Sequence, residues 1–134
     1  MYACAQNFIN YLDSNNLRYN CRTDSDGDVI IDLPNKGLVA KCFFSGENGH
    51  YFSPYIVMER VPADKTVDVL FVCNELNCQY KWATFYIDGD NDVIVHDDAI
   101  LDVESAASEA LELLIRIFNI IDDAKPKIMK AIYA

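Results

Sequence analysis

The sequence predicts an α+β fold in which a mostly antiparallel sheet carries helices on one face. Three stretches of the chain repeat apolar residues at helical spacing, and short β-branched or aromatic runs lie between them. Successive runs are joined by turns that are too short for the crossover connections of parallel strands. Because 134 residues with 51% hydrophobic composition can bury one core, we expect a single domain over residues 1–134.

The first part of the chain predicts one helix and one hairpin. Apolar residues at helical spacing predict a helix over Ala3–Ser14, which ends at the turn-forming run DSNN. A strand is expected over residues 18–23. The polar turn DSDGD then leads into the β-branched strand VIIDL, which Pro34 ends.

The middle of the chain predicts a second strand pair followed by a helix. Residues 38–44 and 51–60 flank the turn SGENG. Pro62 begins a helix that ends near Asn77, and its apolar spacing predicts one buried face. That face contains Val67, Leu70, Phe71 and Asn74. A buried amide at Asn74 would have to form hydrogen bonds.

The last part of the chain predicts a third hairpin and a long helix. Residues 81–87 and 93–96 flank the turn DGDND. From Val103 onward, apolar residues keep helical periodicity for about five turns. We expect Pro126 to end this helix and residues 128–133 to form a short amphipathic helix that packs back on the core.

The charge of the chain argues against two classes of partner, and its cysteine content argues against disulfide bonds. The net charge of −10 would repel the phosphates of nucleic acid and an anionic membrane surface, so neither is expected as a partner. The five cysteines are an odd number and form no CxxC pair, which argues against a disulfide framework. No run has the apolar length of a membrane span. These features predict a cytoplasmic protein.

The sequence contains no familiar catalytic motif. GxSxG, GxxxxGK[ST], GxGxxG and HExxH are all missing. We therefore predict that the protein is not an enzyme and that it has no catalytic residues, no cofactor and no metal site. Pairs of carboxylates are better explained as a solvated acidic surface, because acidic residues are so numerous.

One alternative is a small-ligand site or a nonstandard enzyme site near Cys42, His50 and Tyr51. A nucleophilic cysteine needs a base or positive surroundings that lower its pKa, and His50 and His96 are the two histidines. A buried thiol that packs as a small hydrophobe is the favoured interpretation for most of the cysteines.

A second alternative is a divalent-ion sensor formed by the two aspartate-rich turns. Alternate carboxylates in DSDGD and DGDND resemble the start of a calcium loop. An EF-hand needs glycine at its sixth position and glutamate at its twelfth, whereas these positions hold Val29 and Asn35 in one turn and Val93 and Ala99 in the other. The hairpin interpretation is therefore favoured for both turns.

An aromatic cluster supplies the candidate interaction surface. Tyr51, Phe52 and Tyr55 surround Pro54, and a proline in this run favours an edge strand that is not fully paired. Aromatic rings on an edge strand are also what peptide-binding and dimer surfaces use. We therefore take these three aromatic residues as the candidate surface.

Several of these segments resemble one known family. The helix VDVLFVCNELN, the strand run KWATFYIDGDNDVIV and the closing run AILDVESAASEALELLIRIFNIIDDAKPKIM are similar to the YbjN family, as is GHYFSPYIVMERVP upstream. The resemblance covers residues 38–132. It departs from the family where Cys73 replaces leucine before the first asparagine of the helix, a change that affects packing only.

The resemblance implies a fold like that of type III secretion chaperones, a tendency to dimerise and a role as a sensory transduction regulator. It supplies no catalytic residues. Together with the acidic composition, it leads us to predict a non-enzymatic, chaperone- or regulator-like module. We expect this module to bind a protein or peptide and to form a homodimer.

Overall fold

The computed structural model describes residues 1–134 and contains one sheet and three helices. The elements in chain order are α1 (Ala3–Ser14), β1 (Asn20–Thr23), β2 (Val29–Asn35), β3 (Leu38–Ser45), β4 (Tyr51–Arg60), α2 (Thr66–Gln79), β5 (Thr84–Ile87), β6 (Asp92–His96), β7 (Ala99–Ile100) and α3 (Ala106–Tyr133). Single 3₁₀ turns precede β4 and α2. No helix combines the length and the apolar composition that crossing a bilayer needs.

Six of the seven strands of the sheet follow the order β1-β2-β3-β4-β6-β5, and every pair is antiparallel. The short strand β7 pairs with the first two residues of β4, beyond the point where β6 ends. The predicted α+β fold with an antiparallel sheet and helices on one face is confirmed. The first helix has the predicted limits, whereas β1 and β5 each begin a few residues later than predicted, and β7 was not predicted.

Aromatic packing joins α1 to the centre of the sheet. Phe8 of α1 contacts Phe44 and Phe52, with ring centroids 6.0 and 6.4 Å away. The rings of Phe44 and Phe52, opposite each other on β3 and β4, are 5.1 Å apart. All three side chains are fully buried. One core cluster of 32 residues contains them together with the buried residues of all three helices.

The long closing helix is continuous through Pro126, so the prediction of a break and a separate tail helix is wrong. Proline inside a helix costs about 3 kcal/mol. The buried residues Ile121, Ile128 and Ile132 continue one apolar face past the proline. Burying each such side chain contributes about 1.5–3 kcal/mol, and this packing offsets the cost of the proline.

The predicted orientation of α2 is also wrong. Val69, Cys73 and Leu76 form its buried face. The four residues predicted to be buried are exposed instead, and Phe71 is 69% exposed. Because α2 carries apolar residues on two sides, spacing alone does not select the face that packs. Contact with α3 and β5 selects it. We call Val67, Leu70, Phe71 and Asn74 the α2 stripe.

Asn77 attaches the end of α2 to the sheet edge. Its amide Nδ2 donates to the backbone oxygen of Phe85 at 2.9 Å, and its Oδ1 accepts from the Phe85 N–H at 2.7 Å. Phe85 lies in β5, an edge strand, so these backbone groups have no neighbouring strand to pair with. The side chain of Asn77 therefore takes the place of a further strand at this residue.

We expect Asn77→Ala to lower the free energy of unfolding by about 2 kcal/mol, because both backbone groups of Phe85 lose their partner. Asn119→Ala is the matched control, since it changes the same residue type at an exposed position of another helix, α3. Its effect should stay within about 0.5 kcal/mol. Urea unfolding of both variants measures the difference. Equal effects would contradict the role given to Asn77.

Candidate interaction surface

The sheet has one face that no helix covers. Ile30 and Ile94 are only 3% and 5% exposed, yet neither belongs to the core cluster that unites the helices with the sheet. Residues opposite each other in an antiparallel pair share a face, so the register extends this surface from strand to strand. We call it the open face. Its apolar residues are Ile30, Val39, Phe43, Tyr51, Tyr55, Val57, Tyr86, Ile94 and Ile100.

Neighbouring strands, and not helices, bury the two isoleucines. Ile30 lies between Arg22 of β1 and Phe43 of β3. Ile94 lies between Val57 of β4 and Tyr86 of β5. Val57 and Tyr86 remain partly exposed themselves. The open face is thus a largely apolar layer one side chain thick, in which the charged residue Lys41 lies opposite Tyr55.

An aromatic cluster lies at the centre of this layer. The rings of Tyr55 and His96, opposite each other on β4 and β6, are stacked with centroids 4.6 Å apart and planes 9° apart. Phe43 meets Tyr55 edge-on at 5.5 Å, and Tyr86 meets His96 edge-on at 6.2 Å. Burial raises the pKa of both tyrosines, with a further contribution from Asp98 at Tyr55. Both phenols therefore stay neutral and well packed at neutral pH.

A polar group borders the cluster at one end. Asp98 Oδ1 accepts a hydrogen bond from Ser53 Oγ at 2.7 Å, and Asp98 Oδ2 lies 3.1 Å from His96 Nε2. Ser53 and His96 thus contact the same carboxylate and not each other. In a catalytic triad, the histidine must contact the serine. The Nδ1 atom of His96 is buried without a hydrogen-bond partner. This arrangement fixes the imidazole ring for stacking and does not activate Ser53.

The structure divides the three predicted surface residues between the two faces. Tyr51 and Tyr55 lie on the open face, whereas Phe52 is fully buried on the helix-covered face, so its assignment to the surface is wrong. The reason is strand alternation, which points consecutive side chains in opposite directions. An interaction role for Tyr51 and Tyr55 stays a prediction.

β4 lies inside the sheet, so the prediction of an edge strand is also wrong. The Leu101 N–H donates to the His50 oxygen at 2.8 Å, which places the even-numbered backbone groups of β4 on the side of β6 and β7. β6 pairing ends at Tyr55 and β7 pairing begins at Phe52. Pro54 falls in the gap between them, where a missing N–H breaks no ladder bond.

Sequence reasoning missed most of the open face. Phe43, Val57, Tyr86, Ile94 and His96 come from four strands, and only the pairing register brings them together. The available signal was strand alternation, which separates odd from even positions in each strand. Alternation does not tell which of the two faces the helices cover.

Cys42 and His50 are not brought together. Cys42 is fully buried on the helix-covered face and pairs with Pro54, four residues along β4 from His50. The His50 ring instead meets Tyr51 edge-on at 4.1 Å. Burial, with a contribution from Asp32, raises the pKa of the Cys42 thiol far above its ordinary value. A nucleophile needs the opposite shift.

The two aspartate turns have the same internal hydrogen bonding. Asp24 Oδ1 accepts from the N–H groups of residues 26 and 28, at 2.9 and 3.0 Å. Asp88 Oδ1 accepts from those of residues 90 and 92, at 3.1 and 3.0 Å. The fourth residue of each turn has positive φ, 87° at Gly27 and 61° at Asn91. The carboxylates of Asp88, Asp90 and Asp92 lie within 4.8 Å of one another. The hydrogen bonds within the turn already account for the position of Asp88.

These features define an α+β domain in which helices cover one face of the sheet and leave the other, aromatic face uncovered. A family model described as "YbjN: Putative bacterial sensory transduction regulator" matches residues 5–123, and the chain belongs to the YbjN family. The predicted resemblance is thereby confirmed.

No curated protein matches the sequence. Among solved structures, the heterodimeric ExoU–SpcU complex from the type III secretion system of Pseudomonas aeruginosa contains a similar chain, with 10% identity and a TM-score of 0.47. The similarity covers 92% of this chain and 96% of that chain.

We expect thiol labelling to separate Cys42 from Cys78. Cys78 is exposed, so a disulfide reagent should modify it rapidly in the native protein, whereas Cys42 should react only on the timescale of unfolding. Mass spectrometry of labelled peptides over time measures both rates. The Cys78→Ser variant removes the fast-reacting thiol, so that labelling of the remaining cysteines can be measured alone. Rapid native labelling of Cys42 would revive the alternative of a thiol site at this position.

Proposed function

We propose that the protein is a non-enzymatic binding module whose open face receives a segment of a partner protein. The observation that carries this proposal is the burial of Ile30 and Ile94 outside the core, within a layer that also contains exposed aromatic rings. Contiguous apolar surface of this kind marks interaction sites in soluble proteins. The regulator description of the YbjN family supports the same class of function.

A non-enzymatic role is supported by the arrangement of the reactive side chains. The Cys42 thiol is buried with a raised pKa, and Ser53 and His96 both contact Asp98 rather than each other. The cytoplasm is the proposed location, because an exposed free thiol such as Cys78 persists best in a reducing compartment.

Charge indicates the chemistry of the partner. Two aspartates of the open face, Asp32 and Asp92, already pair with Arg22 and Arg60. Asp98 has no lysine or arginine partner. Because the whole chain carries a net charge of −10, a segment with apolar or aromatic residues flanked by lysine or arginine is favoured.

Peptide selection followed by titration tests the open face. We expect a random peptide display library to yield peptides with aromatic and basic residues, which bind the wild-type protein. Replacing Tyr51 and Tyr55 together with alanine should weaken the selected peptides about tenfold or more, because buried tyrosines are frequent hot spots. Tyr133→Ala is the matched control, since Tyr133 is exposed at the end of α3.

Fluorescence anisotropy with a labelled peptide measures these affinities. Circular dichroism establishes that each variant is folded. Two outcomes would reject the proposal. One is a library that yields no binder, and the other is a set of peptides that bind the double variant as tightly as the wild type.

We also propose that the α2 stripe pairs with a second copy of the chain. The stripe exposes Val67, Leu70 and Phe71 at helical spacing, with Asn74 one further turn along. An amide both donates and accepts, so Asn74 can pair with its own copy across a two-fold axis. An asparagine within an apolar helix seam has this role in coiled coils.

Light scattering over a dilution series tests the dimer. We expect a dimer for the wild type and a monomer for Phe71→Glu, because the substitution places two carboxylates against each other at the axis. Ile115→Glu, at an exposed position of α3, should leave the mass unchanged. A monomeric wild type would reject the dimer, and a dimeric Phe71→Glu variant would reject this interface.

A further inference from the structure

A groove of about 790 Å³ lies beside α3 and shares only Val39 with the apolar residues of the open face. It is bordered by the loop after α1, the β2–β3 turn and the middle of α3. The side chains of Leu33, Leu38, Leu114 and Phe118 line its inner part, with Leu17 and Ile115 exposed at its rim. Apart from Phe118 these side chains are aliphatic. The volume falls in the roughly 300–1,000 Å³ range of small-molecule sites.

The charge of this groove is opposite to that of the protein. The chain has 21 acidic and 11 basic residues, yet the groove is lined by Arg18 and Lys36 and by no aspartate or glutamate. Lys36 pairs with Asp122, just outside the lining, at 3.0 Å. Both partners are more than half exposed, so this ion pair is weak and easily exchanged.

Both basic residues line the groove from segments next to the first hairpin. Arg18 lies in the loop between α1 and β1, and Lys36 lies in the turn that follows β2. Lys36 and Gly37 form the two-residue turn between β2 and β3, with φ of 52° and 80°. Asn-Gly suits such a turn better than Lys-Gly. The turn geometry therefore does not explain why a lysine occupies position 36. A role for its positive charge at the groove does.

We propose that this groove binds a carboxylate with an aliphatic chain, such as a medium-chain fatty acid. The carboxylate lies between Arg18 and Lys36, and Lys36 Nζ exchanges Asp122 for the ligand. The chain lies along the aliphatic floor toward α3. Since long-range repulsion from an acidic protein opposes any anion, affinity rests on the two nearby cations and on burial of methylene groups.

Titration calorimetry with octanoate and decanoate, below their micelle concentrations, tests the site. We expect decanoate to bind about tenfold more tightly than octanoate, because each added methylene strengthens binding about threefold to fourfold. Decyltrimethylammonium, which has the same chain and the opposite charge, should not shift the amides that line the groove. In ¹⁵N-resolved NMR spectra, decanoate should shift the amides of residues 16–18, 33–39 and 111–119.

Four variants test the charges and the aliphatic floor. Arg18→Gln and Lys36→Gln should each weaken decanoate about threefold to fivefold. Ile115→Glu should abolish binding by placing a negative charge at the rim. Ile100→Glu is its matched control, because Ile100 is an exposed isoleucine of the open face. Its decanoate affinity should equal that of the wild type.

Three results would overturn the proposal. Equal shifts of the groove amides by decyltrimethylammonium and decanoate would show that charge plays no part at this site. Decanoate shifts confined to the open face would place the site elsewhere. Displacement of decanoate by a peptide that ends in leucine with a free carboxylate, at a lower concentration than octanoate requires, would assign the groove to a protein C-terminus.

Discussion

The three helices pack against a single face of the sheet, and this one-sided packing determines the environment of every strand residue. Side chains that point toward the helices, such as Phe44 and Phe52, meet Phe8 in a closed core. Side chains that point away have no such cover. Ile30 and Ile94 are buried there because side chains of the two neighbouring strands flank each of them.

Hydrogen bonds to the β5–β6 hairpin hold α2 in an orientation that leaves one of its sides exposed. Asn91, in the turn between β5 and β6, donates to the Val61 oxygen at 2.7 Å and to Thr66 Oγ1 at 3.0 Å, near the start of the helix. Asn77 bonds to Phe85 near its end. Two asparagines thus attach both ends of α2 to one hairpin. The helix cannot rotate to bury the α2 stripe without breaking these hydrogen bonds.

Three surfaces of different chemistry result from this architecture. The open face is broad and aromatic, and the α2 stripe is narrow and apolar with one amide. The groove beside α3 is aliphatic and basic. The proposed partner segment, second copy and small ligand would therefore occupy different surfaces. The acidic character of the chain affects them unequally, since it favours basic partners everywhere except at the groove.

The sequence by itself determined the kinds of element and most of their limits, because helical and strand periodicities are local properties of the chain. It placed α1 over Ala3–Ser14, identified three hairpin turns and resembled the YbjN family. From the sequence, Tyr51 and Phe52 were assigned to one surface, although neighbours in a strand point in opposite directions. The sequence did not show which of them the helices cover.

Tertiary structure decided the questions that depend on contacts distant in sequence. Helix packing on one face buried Phe52 and left Tyr51 exposed. Contact with α3 and β5 turned Val69 inward and Phe71 outward, although both suit an apolar face. Burial of Ile128 kept α3 intact past Pro126. In each case the local pattern allowed two arrangements, and the burial of more apolar surface against a distant element selected one of them.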